Sequence, residues 1–323
     1  MINVSDKVLT QSATQQVTGH APVALAVPQL FKLRVVVLLV FAAVAGAFLG
    51  AGGWPGTKAM FVLLVTGALA AAGSSAINQY IERDSDARMV RTASRPLASG
   101  AIARPGWVPR VGAAMVLLPI FCLLFYGLFT QRALSLSFTA SYRFDPIALA
   151  LFLGLGAFVY VGIYTLWLKP RTPISVVIGG LAGSCAVLSG GAAVGAWTDQ
   201  GVLCLALLVF LWSPTHFWSL ALACRDDYAR AEVPILPVVA APHSAALLNL
   251  VHASASGLVG VALAFQPTLA WYYVVPVLGA TVYWLAQACR LVIQPSLPTA
   301  WRLFYASNFY LGVVLLAVCI GTL

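Results

Sequence analysis

Asn78, Glu82 and Asp86 recur at a spacing of four within the stretch NQYIERDSDARMVRTASRPLASG, residues 78–100. On a helix this spacing puts one amide oxygen and two carboxylates on a single face, within about 80° of arc. Oxygen ligands with no Cys or His beside them suit a hard cation such as Mg²⁺. That ion holds few carboxylates and completes its shell with water and phosphate oxygens. Arg91 and Arg95, just beyond, can clamp further phosphate oxygens. Asp84 falls off the shared face. The competing reading is a solvated helix end laced with i, i+4 pairs such as Asp84 with Arg88.

The elements that must position these groups are apolar. Of 323 residues, 61% are hydrophobic and 8% charged, and mean hydropathy is +0.93. A soluble chain carries about 25% charged residues. The expected fold is therefore an all-α, polytopic membrane helix bundle around a central cavity open to the cytoplasmic side. Apolar runs at 35–50, 59–80, 108–130, 147–168, 174–196, 202–224, 245–265, 269–292 and 304–323 predict nine spans. They form one domain, residues 30–323. Residues 1–29 read as a flexible cytoplasmic tail, without the ordered regions of a signal peptide.

Charge then orients the bundle. Nine spans with a cytoplasmic N-terminus put 15 of the 18 Lys and Arg on the cytoplasmic side. Only Lys58, Arg132 and Arg143 fall opposite. The C-terminus is then periplasmic, and the net charge of +9 reflects topology rather than nucleic-acid binding. The same topology brings a second acidic segment, RDDYARAE at 225–232, to the side of the first. Asp226, Asp227 and Glu232 lie there after the sixth span, so six of the nine acids occupy two cytoplasmic segments. Two acidic segments four helices apart suggest two structural halves facing one cavity. Lys169, in LKPRTP after the fourth span, adds a cation on that side. Two unrelated groups of loop charges are the plain alternative.

Other residues carry less. The six Cys are scattered without a C-x-x-C and read as packing residues. Gly179–Gly183 and Gly190–Gly195 allow close helix contact and lack a nucleotide-loop pattern. His216 lies within WSPTHFWSL, inside a span beside Pro214, which should bend it. A hydrogen-bonded core histidine and a ligand role are both open there. His243 and His252 flank the start of the next span, where they could line the same cavity, either one a candidate haem contact.

These motifs carry a resemblance. Asn-x-x-x-Glu-x-x-x-Asp followed by RTASRPLASG resembles the first signature of UbiA-type intramembrane prenyltransferases, with Glu82 where the family usually has Asp. WSPTHFWSLALACRDDYARAEVPILPVV and LKPRTPISVVIGGLAG resemble segments of the haem o synthase branch, over residues 30–320. Glu232 stands where a small residue, often Gly, is usual, and PVVAAPHS lacks the Gly common after PVV. The resemblance implies transfer of the farnesyl group of farnesyl diphosphate to a vinyl group of haem b, with water added. It implies two Mg²⁺ ions as cofactors, the second on Asp227 with Asp226, and haem b as a substrate. Asn78, Glu82, Asp86 and Asp227 would be catalytic, and Arg91, Arg95 and Lys169 would hold the diphosphate. His216, Trp218 and Tyr164 are the haem-binding candidates. A bacterial inner membrane is the implied location, with a haem a synthase or terminal oxidase as candidate protein partner. Two rival expectations are prenyl transfer to an aromatic quinone precursor and a non-catalytic membrane transporter.

Overall fold

A computed structural model describes residues 28–134 and 144–323. The expected tail lies almost wholly outside the described residues, as does most of the loop at 131–146. Among the described residues, nine helices are long and apolar enough to cross a membrane. In hydrocarbon each amide must be satisfied within its own segment, which leaves these runs no alternative to helix.

The helices are α1 Leu33–Ala51, α2 Thr57–Ala87 and α3 Trp107–Leu134. The fourth span is α4 Pro146–Ala157, continued by a π-helical run, Phe158–Leu168. The fifth is divided into α5 Ser175–Gly179 and α6 Leu181–Ala193. After α7 Gln200–Ala223 come two short helices, α8 Arg225–Arg230 and α9 Leu236–Val239. Then follow α10 Pro242–Ala262, α11 Val274–Ile293 and α12 Leu297–Gly321.

Consecutive spans pack side by side, and α12 returns to α1. Helix α6 sits inside, against α1, α4 and α7. Glycines permit that crossing. A Cβ on Gly190 would run into the Ala43 carbonyl of α1, and one on Gly46 into the Val187 carbonyl of α6. Beyond α7 the core is mostly aliphatic, and within it Trp284 stacks on Tyr310 at 4.4 Å between α11 and α12.

Three of the nine acids lie outside the two acidic segments. Of these, Asp145 accepts from the Ala148 amide and caps α4, and Asp199 accepts from Gly201 and Val202 and caps α7. Helix α12 begins well before residue 304, because Ser296 and Thr299 form a capping box around Leu297 and Pro298. Helix α7 runs uninterrupted through Pro214. Proline leaves the carbonyl four residues back, Phe210, without its helical donor. Gly180 sits at that carbonyl, 3.1 Å from where a Cβ would be, at the division between α5 and α6.

Helix α2 has 31 residues, roughly 46 Å at 1.5 Å per residue. A bilayer core is about 30 Å thick. The helix is longer than a single crossing needs, and Glu82 and Asp86 lie in its last two turns.

Candidate active site

Because α2 stays helical to Ala87, its three oxygen-bearing side chains share one inward face. Asn78, Glu82 and Asp86 are 1%, 8% and 4% exposed. Asp84 points out, its side chain 83% exposed and 3.6 Å from Arg83. The solvated pair Asp84–Arg88 does not form. Arg88 instead reaches across to the Ala231 carbonyl at 3.2 Å and to Glu232 at 3.6 Å.

Each group on the inward face meets one cation. Lys169 Nζ lies 2.5 Å from Glu82 Oε1. Arg95 Nη1 lies 2.6 Å from Asp86 Oδ2. Lys32 Nζ donates to Asn78 Oδ1 and lies 3.4 Å from the Tyr160 hydroxyl. The other end of the Asn78 amide donates to Thr165 Oγ1 at 2.9 Å, which fixes which end faces the cation.

The fourth span supplies three of these contacts through its π-helical run. A π turn closes five residues back, and the Lys169 amide accordingly bonds the Tyr164 carbonyl at 2.8 Å. Thr165 Oγ1 donates to the Tyr160 carbonyl, again five back, at 2.7 Å. The rings of Tyr160 and Tyr164 stack at 6.1 Å, and Lys169 stands 5.7 Å from the Tyr164 centroid. Gly179 of α5 gives that ring room, since a Cβ there would sit 2.8 Å from it.

Environment sets the charges at the edge of the membrane. Burial would lower the Lys169 pKa, but the Glu82 carboxylate outweighs it and raises it above the usual lysine range. Lys32 has no such full partner. Burial dominates there and pulls it down to about 7, with Glu82 only partly opposing.

The second acidic segment joins the first, through the backbone. Both Asp227 oxygens accept main-chain bonds, from the Val90 and Arg91 amides at 3.1 Å each, and Arg230 pairs with it as well. Burial alone would raise the Asp227 carboxyl. The Arg91 and Val90 amides and the Arg230 guanidinium outweigh it and hold it below the usual carboxylate range. Asp226 is exposed and makes no ion pair among the described residues. Arg91 is exposed too, its side chain beside Cys224.

Beneath these segments lies an apolar cluster of Met89, Val176, Trp218, Tyr228 and Ile235, with Tyr164 against it. Of the haem-binding candidates, Tyr164 and Trp218 are thus brought together. His216 is on another face of α7. It stacks on Trp212 at 4.4 Å, lies 4.8 Å from Phe304 and bonds Ser307 of α12 at 3.1 Å. Two residues apart on a helix means about 200° of rotation, so His216 and Trp218 cannot share a direction.

Two positions that depart from the family pattern resolve differently. Glu232 has φ +56°, a left-handed conformation that favours Gly. Ala240 has φ −103°, so no Gly is needed there.

An oxygen set of one amide and two carboxylates fits a hard cation. Among the described residues, no three His, Cys, Asp or Glu side chains gather at metal-ligand spacing. Any ion at this face must therefore complete its shell from water or a ligand, as Mg²⁺ does with phosphates. Lys32, Tyr160 and Thr165 were not legible as site residues. Lys32 gave only an orientation signal, and the other two sit mid-span with no polar pattern.

Two carboxylates and three cations paired at one end of an apolar bundle can bind an anionic group that carries a lipid-soluble tail. The chain matches the UbiA prenyltransferase family over residues 38–313 and belongs to it. The "Protoheme IX farnesyltransferase 2" of Paramagnetospirillum magneticum is 38% identical over 297 residues, covering 91% of this chain and 95% of the relative. The "Protoheme IX farnesyltransferase" of Metallosphaera sedula is 34% identical over 296 residues, covering 91% and 95%. A UbiA homolog from Archaeoglobus fulgidus, solved bound to DMAPP and Mg²⁺, superposes with a TM-score of 0.57 at 14% identity. It covers 91% of this chain and 99% of its own, and shares the fold.

Proposed function

We propose that this chain is a haem o synthase, transferring the farnesyl group of farnesyl diphosphate to a vinyl group of haem b with addition of water. The observation that carries the chemistry is the one-to-one matching of Asn78, Glu82 and Asp86 with Lys32, Lys169 and Arg95. Such a face can exchange its cations. Carboxylates released to a metal free the amines and guanidinium to meet phosphate oxygens. The sequence relationship to chains named protoheme IX farnesyltransferase supports the choice of acceptor.

Asn78, Glu82 and Asp86 would hold Mg²⁺. When bound, the ion neutralises charge on the leaving diphosphate. Lys169, Arg95 and Arg91 would bind the remaining oxygens. A second ion at Asp227, with Asp226, requires Asp227 to release the Val90 and Arg91 amides, and metal titration counts the ions directly. Tyr160 and Tyr164 offer stacked π faces to an allylic cation beside the diphosphate. Trp218 and Tyr164 are the acceptor-side residues, and His216 is tested separately below. The bundle excludes water from that cation.

The site faces the cytoplasm of a bacterial inner membrane in this reading, with the C-terminus periplasmic. The product stays in the bilayer, where a haem a synthase or terminal oxidase would take it up. The deciding experiment incubates membranes carrying the full chain with haem b, farnesyl diphosphate and Mg²⁺, then extracts haem for mass spectrometry. A hydrated farnesyl haem supports the proposal. A prenylated phenol made from an added quinone precursor would replace it with the aromatic-acceptor reading. Neither product would leave a transporter.

A further inference from the structure

Among the described residues, three buried polar atoms at the interface of α7 and α10 lack a protein partner: Trp218 Nε1, His252 Nδ1 and Asn249 Oδ1. Unpaired polar atoms are costly in a buried site, and each invites explanation. They are neighbours. The rings of Trp218 and His252 meet edge-on at 5.3 Å. Asn249 lies one turn before His252 on α10. Its backbone carbonyl accepts from Thr215, one turn before Trp218 on α7, at 3.0 Å. Trp218 is 4% exposed and Asn249 is fully buried. The Asn249 amide nitrogen is already committed to the Ala245 carbonyl at 2.8 Å, which leaves its oxygen as the end without a partner.

The chemistry of the three atoms is specific. Trp218 Nε1 only donates, and Asn249 Oδ1 only accepts. His252 Nδ1 accepts when the ring is neutral, and the ring also interacts with the Leu211 backbone. One donor and two acceptors on neighbouring side chains are the complement of one water molecule, which makes about three bonds when buried. Trp218 belongs to the apolar cluster under the acidic segments, with Tyr164 against it, so this place borders the proposed acceptor site.

Resting on the haem o synthase reading, we infer that Trp218, His252 and Asn249 hold the water that ends the reaction, with His252 as its base. Attack of the vinyl group on the farnesyl cation forms a carbon–carbon bond and leaves a new cation beside the porphyrin. The water oxygen bonds that carbon. Its proton passes to His252 Nδ1, and a neutral hydroxyalkyl group remains. No oxidant or reductant is needed. Without an aligned water and base, the same cation loses a proton from the adjacent carbon. The product is then an alkene, lighter by one water.

The test reads product identity, which a purely structural role would not change. The full chain in membranes is given haem b, farnesyl diphosphate and Mg²⁺, and the extracted haems are separated by mass. The wild type should give the hydrated product. His252→Phe should raise the ratio of anhydro to hydrated product by at least about tenfold, since a positioned base contributes on the order of 10²-fold or more. Trp218→Phe, which keeps the ring and removes the N–H, should shift the ratio the same way by less. His252→Gln, which keeps an acceptor, should lie between wild type and His252→Phe. An unchanged ratio in active His252→Phe and Trp218→Phe overturns the water site and leaves the farnesyl transfer standing. So does loss of all turnover in the three variants without anhydro product. Absence of any farnesyl haem from the wild type would instead overturn the underlying reading.

Discussion

Removing Lys169 and removing Glu82 should not cost the same, and charge counting within the site says which is worse. Five ionisable groups crowd this face: Glu82 and Asp86 against Lys32, Lys169 and Arg95. With Lys32 pulled down to about 7, the set carries less than one excess positive charge at neutral pH. Lys169→Met leaves Arg95 and a partly charged Lys32 with two carboxylates. Glu82→Gln leaves Lys169, Arg95 and Lys32 with one carboxylate, and removes a charge that holds Lys32 protonated. At 2.5 Å the Glu82–Lys169 attraction is about 7 kcal/mol with an effective dielectric of 20. Desolvation consumes much of it, and breaking a buried pair typically costs about 3–5 kcal/mol. Glu82→Gln should fall in that range and Lys169→Met about 1–2 kcal/mol below it. The double variant should recover at least about 1.5 kcal/mol relative to the sum, the coupling expected of contacting groups. The assay is denaturant unfolding of the purified chain in detergent, run as a complete double-mutant cycle. Additivity within about 0.5 kcal/mol would refute the pairing. A larger loss for Lys169→Met than for Glu82→Gln would refute the charge count. Mg²⁺ with pyrophosphate should stabilise the wild type in the same assay, because the polyanion cancels the excess cation, and should stabilise Glu82→Gln far less.

Asp86→Asn should abolish turnover while Asp84→Asn leaves it within about twofold, since only Asp86 shares the buried face; equal losses in a product assay would displace the helical-face argument. The Val90 and Arg91 amides should be protected from hydrogen exchange at neutral pH. The folded-state pKa of Asp227 is depressed, so its tether contributes stability above the unfolded value near 4 and loses it as pH falls through the folded one; protection that vanishes near neutrality would contradict this. Glu232→Gly should change stability by less than about 1 kcal/mol, whereas Glu232→Val should cost more, since φ +56° penalises a β-branched residue. Thermal midpoints of the two variants decide it. His216→Ala should cost about 2 kcal/mol through its ring stack and its bond to Ser307. It should weaken haem binding less than Trp218→Ala does; the reverse order in a spectroscopic titration would bring His216 back to the acceptor.

Much of this was open to reading before any coordinates. The spans follow from length and hydropathy, because hydrocarbon allows few other structures. The face of Asn78, Glu82 and Asp86 follows from helical period alone. What stayed hidden depends on contacts distant in the chain. Lys32 stands 46 residues from Asn78, and nothing local to Lys32 tells it from a topological charge. Asp227 read as a ligand on its type, yet it is spent on two main-chain amides, which carry no side-chain signature. The π-helical run has the composition of any apolar helix. Glu232 was the reverse case, a mismatch at a place where the backbone now shows a left-handed residue.

That π-helical run bears on how the chain tolerates changes in length. An α-helix advances by 100° per residue, and a wider coil by less. Deleting one residue between Phe158 and Leu168 would let the run relax toward α geometry. It would also swing everything beyond it, Lys169 first, around the axis relative to α4. A single lost codon there would pull the amine away from Glu82 without touching either residue. Insertions and deletions should therefore be scarce through the end of the fourth span.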